Sequence, residues 1–329
     1  MSTISTFSHN SLRIDPATSA AKIESAIREI VFGKLHRKGA VVALSGGVDS
    51  SVVGALCSRA LGKDRVLGLM LPEAGSSADS LRLANLQASR LGIRTQVEDI
   101  TPILTAAGCY RRSAEAIRKV IPDFQENLKF KIVLPDLLVQ ATYPIFSVVV
   151  QSADGSQKKS RLTYESYLSV VAAMGFKQRT RKMMEYYYAD RYHYAVAGTP
   201  NRLEYDQGFF VKNGDGAADL KPIAHLYKSQ VYQLAAYLDV PEEIQRRTPT
   251  TETYPLEQTQ EEFFFALPLE KLDVCLYGKN HDISPSSLAP EVELTEAQVE
   301  TVYAMIESKR RMARYLHAVP MLVEELGTV

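Results

Sequence analysis

The chain has 329 residues, with 38 Lys plus Arg against 38 Asp plus Glu. This balance leaves no electrostatic footprint for nucleic acid or a membrane surface, so neither is expected as a partner. No apolar run reaches the roughly 18 residues of a membrane span, residues 1–10 lack an apolar signal core, and the scattered Cys57, Cys109 and Cys275 form no metal spacing and suit a reducing cytoplasm.

Residues 16–37 carry Ile23, Ile27, Ile30 and Leu35 at helical spacing behind Pro16 and Thr18, which predicts a helix beside the first strand. Residues 40–44 are apolar, rich in Val and too short for a stable helix, so they read as a buried parallel strand. Ser45, Gly46 and Gly47 follow, and then Val48, Val52, Val53, Leu56 and Leu61 at helical spacing. A strand, a glycine loop and a helix start make an anion-binding corner, because the first helical amides have no internal partner and the helix dipole favours negative charge there. The glycines allow close backbone approach, and Ser45, Ser50 and Ser51 add hydroxyls. Asp49 is out of place beside a phosphate unless it orients the loop or helps to hold a metal. The spacing is neither that of a Walker loop nor Gly-x-Gly-x-x-Gly.

Residues 66–71 read as a second strand, 81–91 as a helix ended by Gly92, and 94–100 as a third strand. This βαβαβ order predicts a doubly wound parallel sheet flanked by helices. Ligands of such sheets sit at the carboxyl ends of the strands, so the loops after Leu44 and Leu71 should face one pocket. Ser76, Ser77 and Asp79 are candidates for an adenosine site, or else a solvated loop with a helix cap. Residues 101–170 are the least legible part. Residues 144–151 and 160–164 read as strands around the turn 152–156, with its Asp154-Gly155, giving an inserted β-hairpin. A lid, a dimer contact, a partner surface and plain decoration all fit it.

Residues 165–190 read as one long helix, or two broken at Gly175, carrying Lys177, Arg179, Arg181 and Lys182. Positions 177 and 181 share a face. A short strand over 194–198 then runs into a loop dense in Gly, Asp, Glu and Lys. In it Glu204, Asp215 and Asp219 are hard oxygen donors of the kind Mg²⁺ uses together with phosphates. Lys212 and Lys228 are compact charges suited to phosphoryl oxygens. Residues 226–238 form an amphipathic helix, 261–272 a helix interrupted by Pro268, and 278–290 a polar loop. Val299, Val302, Ile306 and Met312 lie on a last helix rich in Lys and Arg.

Four blocks carry a resemblance. They are Ser45-Gly46-Gly47-Val48-Asp49-Ser50; Lys177-x-Arg179-x-Arg181; the run from Gly198-Thr199 through Asn201, Glu204, Gly208-Phe209, Lys212, Gly214-Asp215 and Asp219 to Pro222; and Leu226-x-Lys228, with a weaker Pro249-Thr250. The first resembles the PP-loop of the ATP pyrophosphatases, and the third is specific to the ammonia-dependent NAD synthetases. The resemblance implies one PP-loop domain over residues 1–329, with an insertion at about 110–170 and a helical region over 256–329. It implies that Ser45, Gly46, Gly47, Asp49, Ser50, Ser51, Thr199, Lys228 and Thr250 bind ATP and pyrophosphate. Asp49 and Glu204 would hold Mg²⁺. Asp49, Lys212 and Lys228 would be catalytic, and Lys177, Arg179, Arg181, Lys212 and Asp219 would contact the carboxylate substrate.

The implied enzyme is a cytoplasmic homodimer that adenylates an acid, most simply deamido-NAD, and passes it to ammonia. The chain is too short for a glutaminase domain beside this fold, so ammonia would be free or come from a separate glutaminase. Three departures bear on the acceptor: the family's basic tail pair is replaced by Leu316-His317 ahead of Pro320, the 101–170 segment is long, and the stretch 200–205 is unusually charged and aromatic. An enzyme for another acid is the alternative. A tRNA-modifying PP-loop enzyme would want a basic face and a Cys pair.

Overall fold

The computed structural model describes residues 9–133, 146–152, 154–251, 253–265 and 267–324. Its first part alternates helix and strand: α1 (Pro16–Arg28), β1 (Ala40–Ala43), α2 (Val48–Leu61), β2 (Val66–Met70), α3 (Ala78–Leu91), β3 (Arg94–Val97), α4 (Thr101–Ala106) and α5 (Cys109–Arg118). An insertion of three strands follows, β4 (Lys129–Val133), β5 (Ser147–Gln151) and β6 (Gln157–Arg161). Then come α6 (Tyr164–Tyr192), β7 (Ala195–Ala197), α7 (Arg202–Gln207), α8 (Lys228–Tyr237), α9 (Glu242–Arg246), α10 (Leu269–Asn280), α11 (Pro285–Leu288) and α12 (Glu296–His317). Among the described residues no helix is long and apolar enough to cross a membrane.

The main sheet is parallel, in the order β3-β2-β1-β7, with Val42 level with Gly68 on one side and Ala197 on the other. Alternation along each strand sorts the core into two layers. Val42, Val66 and Met70 pack with α1, α2, α3 and α8, while Val41, Leu67, Leu69 and Val196 pack with α4, α5 and α6. Successive strands leave β1 in one direction as far as β3, and β7 returns on the other side of β1. The carboxyl ends of β1 and β7 therefore flank a topological switch point, where doubly wound sheets bind ligands.

Local signals act where expected. Asp15 caps α1 by accepting from the Ala17 amide at 3.1 Å, ahead of Pro16. Ser77 caps α3, and Gly92 ends it in the left-handed region at φ 63°. Of the two readings of the long helical segment, the structure takes the unbroken one. α6 runs unbroken through Gly175, because Val170, Ala173 and Met174 bury against the α5 side of the core and outweigh the cost of a mid-helix glycine, about 1 kcal/mol.

The hairpin forms, with Val149 opposite Lys159 and Gly155 at φ 85° in its turn. Its first strand starts at Ser147 and its return strand spans Gln157–Arg161, three residues earlier than expected, while Pro144, Ile145 and Ala153 lie outside the described residues. β4 adds a third antiparallel strand that the sequence reading missed, although Lys129-Phe130-Lys131-Ile132 alternates with period two. The Glu261–Phe265 segment makes one wide π-helical turn before Pro268, and α10 starts after it. The expected loop at 278–290 is largely helical, closed by α11 under a Ser284 cap. On α12 Val299, Val302 and Ile306 are buried and Met312 is exposed.

Candidate active site

A cleft of about 450 Å³ opens at the switch point. It is lined by the loops after β1, β2 and β7, one face of α6, and the 248–254 loop. The loop after β1 supplies Ser45, Gly47, Asp49 and Ser50, and the loop after β2 supplies Ser76 and Ser77, so the two loops do share one pocket. Asp79 instead pairs with Arg82 at 2.8 Å.

The glycine loop is fixed by its own hydroxyls. The Ser45 and Ser50 oxygens lie 3.2 Å apart, and Ser50 and Ser51 both donate to the Gly47 carbonyl. Ser51 is buried behind the loop and Gly46 lies under it, so neither faces the cleft. Gly46 is required: its φ is 80°, and a Cβ there would stand 2.4 Å from the Ser80 carbonyl oxygen. Gly46→Ala should therefore destabilise the fold by about 1–3 kcal/mol, measured as a lower thermal midpoint. An unchanged midpoint would mean that the loop is not pinned against α3.

Across the cleft, Lys228 is the first residue of α8 and is buried. Its ammonium forms an ion pair with Asp49 Oδ2, and Asp49 Oδ1 accepts from Asn201 Nδ2 at 3.1 Å. Burial works against the Lys228 charge, but Asp49 and Glu204 overcome it and raise its pKa. The start of α8 is held by the buried Asp273, whose carboxylate accepts from the Lys228 and Ser229 amides at 3.1 and 2.7 Å. Burial pushes Asp273 up to about 6.

Glu204 sits on α7 in a capping box: Asn201 Oδ1 accepts from the Glu204 amide, and Glu204 Oε2 accepts from the Asn201 amide at 3.0 Å. Its other oxygen accepts from Gln260 Nε2 at 3.1 Å. Burial, and then the neighbouring Asp49 carboxylate, push Glu204 up to about 8. Asp49 and Glu204 together offer hard oxygen donors of the kind a divalent cation takes. Among the described residues no group of three or more His, Cys, Asp or Glu could hold a metal, so a cation here would draw its remaining ligands from phosphate and water, as Mg²⁺ does.

α6 brings Lys177, Arg181 and Glu185 to the cleft, one helical turn apart, with Lys182 beside them. Lys177 is neutralised in place: it pairs with the buried Glu73 at 2.9 Å and donates to the Thr253 carbonyl. Burial would raise Glu73, yet the Lys177 ammonium and its hydrogen bonds hold it below its ordinary value. Lys177 thus clamps the β2 loop and the 248–254 loop onto α6. Lys182 and Glu185 form a second buried pair at 2.6 Å. Thr199, Asp215 and Thr250 complete the lining.

Three expected substrate contacts lie elsewhere. Lys212 reaches the end of α12, where its ammonium donates to the Tyr315 and Ala318 carbonyls at 2.8 and 3.0 Å, a position the helix dipole favours. Arg179 is turned from the cleft by helix geometry, two residues from Lys177, and donates to the Lys212 carbonyl. Asp219 braces the sheet edge by accepting from the Val196 amide at 2.8 Å and from the Tyr186 hydroxyl. His317 Nε2 donates to the Tyr205 carbonyl, 2.8 Å away, and the ring packs edge-on against Tyr205 and Phe210, outside the cleft lining. Asp273, Gln260 and Glu73 escaped the sequence reading, since each acts through a partner far away in the chain, and Glu185 escaped it although its partner Lys182 is one helical turn away.

Residues 19–134 and 137–314 match the family model described as NAD synthase. The chain belongs to the NAD synthase family. Within the family it is 54% identical over 316 residues to the NH(3)-dependent NAD(+) synthetase of Mesorhizobium japonicum, covering 96% of this chain and 99% of that one. It is 52% identical over 323 residues to the protein of the same description from Rhizobium meliloti, covering 98% and 96%. Among solved structures, an NMN synthetase from Francisella tularensis aligns with a TM-score of 0.65 at 22% identity over 94% of this chain and 99% of that chain. An NH3-dependent NAD synthetase from Campylobacter jejuni aligns at 0.61 and 22%, over 95% and 100%. At that identity the two structures establish the shared fold.

Proposed function

We propose that this NAD synthase family member amidates deamido-NAD to NAD, using ATP and ammonia. The observation that carries the reading is that the glycine loop, the Asp49–Lys228 pair and Glu204 converge on one cleft at the switch point. A carboxylate does not react with ammonia, because hydroxide leaves poorly. A carboxylate oxygen of the substrate first attacks the α phosphorus of ATP, and the bond to pyrophosphate breaks. Ammonia then adds to the carbonyl of the acyl adenylate, loses a proton, and AMP departs with the bridging oxygen.

The chain's part is positioning and charge neutralisation. The free amides at the start of α2 and the Ser45 and Ser50 hydroxyls receive the pyrophosphate oxygens, and Lys228 neutralises the charge that builds as that bond breaks. A Mg²⁺ seated by Asp49 and Glu204 would screen the triphosphate from the incoming carboxylate. Arg181 is the cleft cation best placed for the acceptor, since Lys177 and Lys182 already have carboxylate partners. A homodimer is supported by Tyr164, Leu168 and Val171, exposed one turn apart on α6, with Val171 also lining the cleft, so a second copy would close the pocket. We place the enzyme in the cytoplasm.

The test is a steady-state assay with deamido-NAD, ATP, Mg²⁺ and ammonium. Stoichiometric NAD, AMP and pyrophosphate are expected. Pyrophosphate release with other acids but none with deamido-NAD would reassign the acceptor.

A further inference from the structure

A second cleft, of about 460 Å³, lies at the opposite end of the sheet from the first, where the parallel strands begin. Each strand brings a side chain to it. Arg94 opens β3, Arg65 immediately precedes β2, Lys38 lies two residues before β1, and Tyr194 immediately precedes β7. Arg37 adds a further cation, and Phe32 and Tyr192 add apolar walls.

The cations are held without being neutralised. The Arg65 guanidinium lies over the Phe32 ring at 5.4 Å and that of Arg94 over Tyr192 at 4.3 Å. Arg37 donates to His193 Nδ1 at 2.9 Å. Among the described residues none of Arg37, Lys38, Arg65 or Arg94 pairs with a carboxylate, whereas Arg59, Arg82, Arg90 and Arg111 all do. Stacking fixes the plane of a guanidinium and leaves its in-plane N–H groups free for a two-pronged contact with phosphate oxygens. Cations drawn from three neighbouring strands suit an anion with several charges spread along it. The volume exceeds what one phosphate fills.

We infer that this cleft is a binding site, separate from the catalytic one, for a small ligand bearing a di- or triphosphate. The three strand-entry cations meet the phosphate oxygens, and the half-buried Tyr194 offers a face to any attached ring.

Calorimetric titration of the full-length protein with inorganic tripolyphosphate tests this. Relative to the wild type, an Arg65→Ser/Arg94→Ser variant should lose one equivalent of binding, or bind about tenfold more weakly or worse at that site, and keep its turnover and thermal midpoint. If that variant does not fold, Arg65→Lys/Arg94→Lys, which keeps the charge but removes the fork, should still show weakened binding. Parallel titrations with ADP separate the sources. Tighter ADP binding that depends on Arg65 and Arg94 assigns a nucleotide, and equal affinity assigns the phosphates alone. Unchanged stoichiometry and affinity in a folded variant would overturn the site. So would binding of RNA, but not of tripolyphosphate, at these residues.

Discussion

Asp49→Asn should lower turnover by a factor on the order of 10³ while the chain still folds. Asp49 is the only carboxylate paired directly with Lys228 among the described residues, and it also anchors Asn201, which carries the Glu204 capping box. An Asn can keep the Asn201 contact but cannot balance the ammonium. Lys228 is buried and its helix start is fixed by Asp273, so it cannot swing out to find solvent. Removing one partner of such a pair leaves an uncompensated charge and costs about 3 kcal/mol. The activity loss must therefore be separated from a stability loss. Asp49→Asn combined with Lys228→Met removes both charges, and should recover most of the thermal midpoint without recovering activity. Full activity in the single variant, or recovered activity in the double one, would show that the pair is only structural.

Glu204→Gln should have a comparable effect on rate, with the opposite sign on stability. Gln can still accept from the Asn201 amide, so the capping box survives. It cannot serve as an anionic ligand, and turnover should fall by a factor on the order of 10² to 10³ at any Mg²⁺ concentration. In the folded protein Glu204 holds its proton up to about 8, against 4.5 ordinarily. A carboxyl raised on folding takes up a proton as the chain folds, so its contribution to stability falls as pH climbs from the ordinary value through neutrality towards the raised one. Gln removes that penalty. Thermal midpoints of the variant and the wild type should agree at acidic pH, and the variant should be the more stable of the two near pH 8. A variant that loses midpoint at alkaline pH would mean that the carboxylate is well compensated and that no cation is needed to balance it.

The sheet was legible because local signals coincide. A Val-rich run, a Ser-Gly-Gly turn and a helical repeat all point to one strand–loop–helix corner, and the structure places Ser45, Gly47, Asp49 and Ser50 at its cleft. Glu204 and Lys228 arrive from distant segments and reach the same cleft, as their residue types suggested, and Thr199 and Thr250 join them as the resemblance implied. What failed were assignments that needed side-chain direction. Arg179 sits between two cleft-facing residues, and helix periodicity alone turns it away. Lys212 looks like a phosphate ligand until the end of α12 is beside it, and Asp219 looks like a metal ligand until the bare edge of β7 needs an acceptor. The three-stranded sheet was half seen, because a hairpin announces itself through Asp154-Gly155 while β4 pairs across a long separation. Lys177 was recognised as a cleft residue, but its neutralisation by Glu73 depends on a contact 104 residues away.

If the acid is activated as an acyl adenylate in the Asp49–Lys228–Glu204 cleft, one oxygen of the substrate carboxylate must leave with AMP. The most direct measurement uses deamido-NAD labelled with ¹⁸O in both carboxylate oxygens, with the products analysed by mass spectrometry after reaction with ATP and ammonium. One label should appear in AMP and the other should remain in the amide of NAD, with none in pyrophosphate. Label in pyrophosphate or inorganic phosphate, with AMP unlabelled, would place the attack at another phosphorus and contradict the account.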